Sequence, residues 1–196
     1  MLVREVMTAE PVTVRGETTV REALALLDQH SVTSLPVVTD DSVVVGMLSE
    51  ADLLVGRLLP DDRSSILPRT SAAPGAAADR VDALMSRRPV TVTADTDLAD
   101  VAKVMTTTGF KSLPVVDDRS RLLGVISRRD IVRTLARSDA DVERDLAALF
   151  EVLGVDWTAQ VINGRAQISG PADDKTRSLA HAAASTVAGI LNVRII

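Results

Sequence analysis

The chain repeats itself at a fixed interval, and that limits its possible folds more than any other feature. Gly46-Met47-Leu48-Ser49-Glu50-Ala51-Asp52 returns 78 positions later as Gly124-Val125-Ile126-Ser127-Arg128-Arg129-Asp130. Both copies read Gly, two apolar residues, Ser, two variable residues, Asp, and both lie between apolar runs. The offset holds without a gap from residues 6–54 to residues 84–132. Met7 matches Met85, Pro11-Val12-Thr13-Val14 matches Pro89-Val90-Thr91-Val92, and Leu35-Pro36-Val37-Val38 matches Leu113-Pro114-Val115-Val116. Such a repeat predicts two copies of one supersecondary module packed together.

Within each copy the pattern predicts the order β-α-β-β-α. Pro11-Val12-Thr13-Val14 is a short β-prone run. Thr19 and Glu22 are spaced as a capping box. Val20, Ala23, Leu24 and Leu27 then form one apolar helix face. Apolar runs at 35–38 and 43–48 flank Thr39-Asp40-Asp41-Ser42 and predict a hairpin with a polar turn. In the second copy Asp97 and Asp100 take the capping slots, and Leu98, Val101, Ala102 and Met105 form the apolar face. The last helix of this copy is predicted over 128–136.

The repeated heptapeptide has two readings. Ser-x-x-Asp before an apolar run is a capping box, with Asp52 reaching back to the Ser49 N–H. The same strand-to-helix geometry leaves free N–H groups at a positive dipole end, which suits an anion. A carboxylate on that first turn is an acceptor-only group suited to a ribose diol.

Composition narrows the classes. The chain of 196 residues has room for a real core, and 46% hydrophobic content marks it as globular. It has no cysteine, so disulfide and thiolate chemistry are excluded. A net charge of −5 argues against a general nucleic-acid binder, and 2% aromatics against a base-stacking platform. Met1 leads straight into the first copy, and no apolar run approaches a membrane span. The expected address is the cytoplasm.

The order Met-x-x-x-Pro-Val-x-Val, amphipathic helix, Leu-Pro-Val-Val, Gly-x-x-Ser-x-x-Asp resembles a cystathionine-beta-synthase (CBS) domain. Two in tandem resemble a Bateman module, and the likeness covers residues 1–137. It implies an α/β (α+β) fold of two CBS repeats packed as a pseudo-twofold module, at 1–56 and 80–137. It also implies a regulatory role with adenosyl ligands held between the repeats. Carried over by position, one cleft would use Ser127 and Asp130 with Met7, Val12, Val32 and Thr33. The other would use Ser49 and Asp52 with Met85, Val90, Phe110 and Lys111. Apolar members suit an adenine face, although each also suits simple core packing. Lys111 stands where the family often contacts phosphate, and a solvated loop lysine would look the same. Arg128 and Arg129 could reach phosphates beside Asp130. The first copy has Glu50 and Ala51 in those places, so the two clefts are expected to differ in charge preference. The resemblance also implies a homodimer formed through helices.

Outside the repeats the pattern changes. Residues 57–79 hold Pro60, Pro68, Pro74 and Gly75 without periodicity and read as a mobile linker. Residues 139–196 predict a small domain of order α-β-β-α-β. Val142, Leu146, Leu149 and Phe150 have helical spacing, and Asn163-Gly164 is a strong hairpin signal. Asn-Gly-x-x-x-Ile-Ser-Gly followed by Ala-Gly-Ile-x-Asn-Val resembles a BON domain, a class associated with membrane-linked or small hydrophobic-ligand binding. No basic amphipathic face supports membrane contact here.

Catalytic equipment is not visible. His30 ends a helix, where it would serve the C-terminus, and His181 sits in an Ala-rich helix without a ligand-spaced partner. There is no Cys/His cluster for zinc and no Walker loop. The Asp40-Asp41 and Asp117-Asp118 pairs fall in hairpin turns, where Asp is favoured. The leading expectation is a non-enzymatic sensor that binds AMP, ADP, ATP or S-adenosylmethionine, has no resident cofactor or metal, and signals to its C-terminal domain or a protein partner. The alternative is a dimerisation or interaction module that binds no nucleotide, with a lipid- or protein-contacting BON-like domain.

Overall fold

A computed structural model describes residues 1–54 and 79–196. The linker expectation at 57–79 lies outside the described residues, apart from Asp79.

The repeat is carried into the backbone. The first copy has α1 (Val20–His30), β2 (Ser34–Val38), β3 (Val44–Ser49) and α2 (Glu50–Leu54). The second has α3 (Leu98–Thr108), β6 (Ser112–Val116), β7 (Leu122–Ser127) and α4 (Arg128–Leu135). Each copy also opens with a one-turn 3-10 helix, Val3–Glu5 and Val81–Ala83, and a two-residue strand, β1 (Thr8–Ala9) and β4 (Ser86–Arg87). The sequence reading missed these opening elements, because two residues are too short to show a period. It also placed a strand over Pro11-Val12-Thr13-Val14. The described residues keep a single parallel bridge there, Val14 to Val37, matched in the second copy by β5 (Val92–Thr93) beside β6. Proline has no N–H to give a ladder, so pairing starts only after it. Left-handed residues recur at the same interval: Glu10 and Arg88, Ser42 and Ser120, Ser31 and Gly109.

The chain divides into two compact units. One comprises Met7–Ala94 and Phe110–Ile126 and holds two sheets, of order β1-β7-β6-β5 and β2-β3-β4. The opening strands are exchanged. β1 of the first copy pairs with β7 of the second, and β4 of the second pairs with β3 of the first. Further links are reciprocal. The Val44 N–H donates to the Ser120 carbonyl, and the Leu122 N–H to the Ser42 carbonyl, at 3.0 and 2.9 Å. The Ser34 and Ser112 hydroxyls, 78 positions apart, hydrogen-bond to each other. A residue can touch its own repeat partner only near a twofold axis, so the two copies in this unit are related by a pseudo-twofold. Its core includes Val20, Ala23, Leu27, Leu35, Val37 and Leu48. Leu24, expected on the buried face of α1, is instead 39% exposed.

The other unit comprises Met1–Val6, Asp95–Gly109 and Ser127–Ile196. It contains α5 (Asp139–Leu153), β8 (Thr158–Ile162), β9 (Arg165–Ser169), α6 (Asp174–Ala184) and β10 (Asn192–Ile195), the expected α-β-β-α-β order. Asn163 and Gly164 both have positive φ, as the two-residue hairpin between β8 and β9 requires. β10 then adds in parallel to β9. Val142, Leu146 and Phe150 of α5 pack with Val161, Ala166 and Ile168 of the sheet and with Ala180 and Ala184 of α6. Among the described residues no helix is long and apolar enough to cross a membrane.

The caps follow the sequence reading in most places. Thr19 and Glu22 form a reciprocal box. Asp97 accepts from the Ala99 N–H at 2.8 Å, but Asp100 makes no return bond, so that pair is a simple cap and not a box. Four carboxylates sit below their ordinary pKa because they accept hydrogen bonds. The Thr19 N–H acts on Glu22, the Arg121 N–H on Asp117, the Ser138 hydroxyl on Asp141 and the Thr176 N–H on Asp173. A carboxylate depressed in the folded state binds its proton more readily once unfolded. Its contribution is complete above the unfolded value and disappears as pH falls through the folded one. Urea midpoints should therefore stay flat from neutral pH to about 5 and drop below about pH 4. A midpoint rising in acid would contradict this.

Candidate functional site

Ser49 and Asp52 stand where β3 runs into α2, in the unit with the pseudo-twofold. The Ser49 N–H and hydroxyl both donate to one Asp52 oxygen, at 2.8 and 2.7 Å. The other carboxylate oxygen has no hydrogen bond among the described residues. Ser127 and Asp130, in the other unit, form the same box. The Ser127 N–H and hydroxyl donate to one Asp130 oxygen at 2.9 and 2.5 Å, and the Asp130 N–H donates back to the hydroxyl at 3.3 Å. Here the second oxygen lies 3.4 Å from the Arg133 guanidinium, and Asp130 is buried. The capping reading is thus met at both boxes, and each carboxylate retains one oxygen that capping does not use.

The surroundings of the two boxes differ in charge. The Lys111 ammonium forms an ion pair with Glu50, the residue after Ser49. The positive charge expected for phosphate is thus half committed to a neighbouring carboxylate. At the other box the first turn carries Arg128 and Arg129, with Arg133 one turn on. Arg128 donates to the Met105 carbonyl at 2.8 Å, which ties α4 to the end of α3. Sequence reasoning named Glu50 for its charge but missed its pairing with Lys111, and it missed Arg133. Arg133 was readable, since residues three apart on a helix are neighbours. Glu50 and Lys111 are 61 positions apart, and only the fold brings them together.

The apolar candidates divide between exposed and half-buried positions. Val90 and Phe110 are each 43% exposed and Val32 is 39% exposed, so none of these three is core. Met85 is half-buried with its sulfur over Gly46, within the strand that leads to Ser49. Met7 covers Gly124 in the same way, and Val12 is half-buried. Thr33 is exposed, and its carbonyl accepts from the Glu50 N–H at 2.9 Å. The structure therefore groups Ser49, Glu50, Asp52 and Lys111 around the end of β3, with Met85 against Gly46 of the same strand, and Ser127, Arg128, Arg129 and Asp130 around the start of α4. Among the described residues no cluster of three His, Cys, Asp or Glu side chains could hold a metal.

A family model described as the CBS domain matches this chain twice, over residues 3–57 and 81–137. This chain belongs to the CBS domain family. The two matches make it a tandem CBS pair, and each contains one Ser-x-x-Asp box. The chain is 29% identical over 140 residues to a CBS domain-containing protein of Dictyostelium discoideum, covering 70% of this chain and 92% of that one. It is 34% identical over 140 residues to the chloroplastic CBSX1 of Arabidopsis thaliana, covering 61% of this chain but only 57% of the plant protein. Among solved CBS structures, CBSX2 in complex with AMP superposes with a TM-score of 0.55 at 30% identity, over 67% of this chain and 93% of that one.

Proposed function

We propose that this CBS pair is a ligand-binding regulatory module that takes an adenosyl ligand (AMP, ADP, ATP or S-adenosylmethionine) and passes the change to its C-terminal domain. The observation that carries the reading is the pair of Ser-x-x-Asp boxes, each with one carboxylate oxygen left over by capping. Such an oxygen is a charge-assisted acceptor for a ribose diol. At the Asp52 box the family resemblance assigns the adenine to Phe110, Val90 and Met85, and the exposure of the first two and the half-burial of the third leave apolar surface for it. The AMP bound by CBSX2 supports the ligand class.

The charges support a division of labour between the boxes. Three arginines near Asp130 favour a ligand with several phosphates. The Glu50–Lys111 pair beside Asp52 favours a less charged adenosyl compound, or a monophosphate. Lys111→Ala should weaken AMP at the Asp52 box about two- to fivefold, the range of an exposed ion pair, and leave adenosine nearly unchanged. Glu50→Gln should release Lys111 and strengthen AMP by a similar factor. Calorimetry on both variants checks this, and equal effects on adenosine and AMP would remove Lys111 from the site. The wider reading is tested by a thermal-shift series with the four ligands, since binding to the folded state raises apparent stability. No response at millimolar concentration of any of them would sink it.

The route to the C-terminal domain starts at the same helix. α4 begins at the Asp130 box, and two residues past its end Arg137 donates to the Ala188 carbonyl at 3.1 Å and pairs with Asp145 at 2.6 Å. A shift of α4 on ligand binding would be felt by residues 139–196.

One observation favours the interaction module as a second reading. Leu54 of α2 and Val132 and Leu135 of α4 are more than half exposed. The apolar stripe of α1 is mostly consumed internally, so these later helices supply the apolar surface for a homodimer. Both readings keep the cytoplasmic address expected from the sequence, and the second leaves residues 139–196 to contact a lipid or a protein.

A further inference from the structure

The three-stranded sheet of residues 139–196 has one face covered by α5 and α6 and one face open. Val161, Ala166 and Ile168 point to the covered side, while Gln160, Arg165, Gln167 and Arg194 are exposed on the other. Register places Arg165 opposite Asn192 and Gln167 opposite Arg194. The two arginines are therefore diagonal neighbours on adjacent strands. With Gln167, Asn192 and Leu191 they line a concavity of about 540 Å³. This is within the range of small-molecule sites, about 300–1,000 Å³.

The charges around it are asymmetric. In a chain of net charge −5, no acidic residue among the described residues lines this concavity. The guanidinium groups of Arg165 and Arg194 have neither an ion pair nor a hydrogen bond among the described residues. Arg137, Arg144 and Arg177 of the same unit all have a partner. The nearby carboxylates are committed on the helix side. Asp139 accepts from the Asn163 and Gly164 N–H groups, and Glu143 accepts from the Val161 N–H at 2.6 Å. Two like charges on neighbouring strands oppose each other, and an anion spanning both would relieve this.

We propose that this concavity binds a small, water-soluble phosphomonoester. Two guanidinium forks match a dianion, and a phosphomonoester carries about −1.5 to −2 charges at neutral pH, where a carboxylate carries one. The side-chain amides of Gln167 and Asn192 add donors. The exposed Leu191 gives the organic part a place to lie.

The test uses phenyl phosphate as probe and the full chain labelled with 15N. Saturable shifts should centre on Arg165, Gln167 and 191–194, away from both Ser-x-x-Asp boxes. Arg165→Gln and Arg194→Gln should each weaken the probe about tenfold or more, while Arg144→Gln leaves it unchanged. Neither residue has a partner to lose, so both variants should melt with the wild type. Affinity should fall as pH drops through about 6, where the dianion takes up a proton, and phenyl sulfate should bind more weakly throughout. Absence of saturation at about 10 mM overturns the site, as do shifts at the boxes instead or equal binding by the arginine variants. Phosphatidylglycerol vesicles bound without any response to the free probe would assign the face to a membrane and overturn it equally.

Discussion

Asp130→Asn should leave the melting temperature without ligand close to that of the wild type and remove most of the stabilisation an adenine nucleotide gives. The Asn carbonyl oxygen still accepts from the Ser127 N–H, so the cap survives. The pair with Arg133 is lost, but that guanidinium is 69% exposed, and solvent screens its contribution. The diol, in contrast, would lose a charged acceptor, worth roughly 1.5–3 kcal/mol. At about 1.4 kcal/mol per decade, this weakens nucleotide at that box by about ten- to a hundredfold. Asp52→Asn should act the same way on its own box only. Asp130→Ala also removes the acceptor for the Ser127 N–H and hydroxyl, the return half of the capping box, and should cost a further ~1 kcal/mol of stability with no ligand present. If calorimetry finds both Asn variants binding as the wild type does, the carboxylates are caps alone and the interaction module takes the place of the sensor.

Gly124→Ala should destabilise the protein more than Gly46→Ala, although the two glycines are equivalent in the repeat. A Cβ on Gly124 would come 2.7 Å from the Thr8 carbonyl oxygen and 2.8 Å from the Met7 sulfur. The carbonyl belongs to β1, which is held against β7, so backbone must move. A Cβ on Gly46 would come 2.5 Å from the Met85 sulfur but 3.2 Å from the Ser86 carbonyl oxygen. A thioether on a flexible side chain can swing aside where a paired strand cannot. Overpacking of the first kind costs about 1–3 kcal/mol, and the second should stay near the lower end. In a chain of this size 1 kcal/mol corresponds to about 2–4 °C. Equal losses in thermal unfolding, or a larger one for Gly46→Ala, would show that the exchanged strands adapt more freely than their pairing indicates. Either substitution should also disturb the methionine that covers its glycine, Met85 over β3 or Met7 over β7.

The repeat, the helices, the hairpins and the order of the C-terminal domain were legible in the sequence because each rests on local signals. An apolar face at helical spacing, a capping Thr19 with Glu22, and Asn163-Gly164 between alternating runs all act over a few residues. The Ser-x-x-Asp boxes were readable for the same reason, and their caps formed as the spacing implied. Tertiary structure alone decided the rest. Two-residue strands have no period, so only the exchange of β1 and β4 between the copies gives them a reason to exist. That exchange also explains why Gly46 and Gly124 open the boxes, since a neighbouring strand passes where a side chain would stand. The pairing of Lys111 with Glu50 and the grip of Arg137 on Ala188 and Asp145 join residues distant in sequence. Leu24 looked as buried as Leu27 on a helical wheel, because a wheel shows which residues share a face but not how wide a neighbour covers it. Sequence by itself therefore fixed what each segment is, through interactions within a turn or two of chain. Which segments meet, and which charges are left without partners at Arg165 and Arg194, depended on long-range register, which no local pattern encodes.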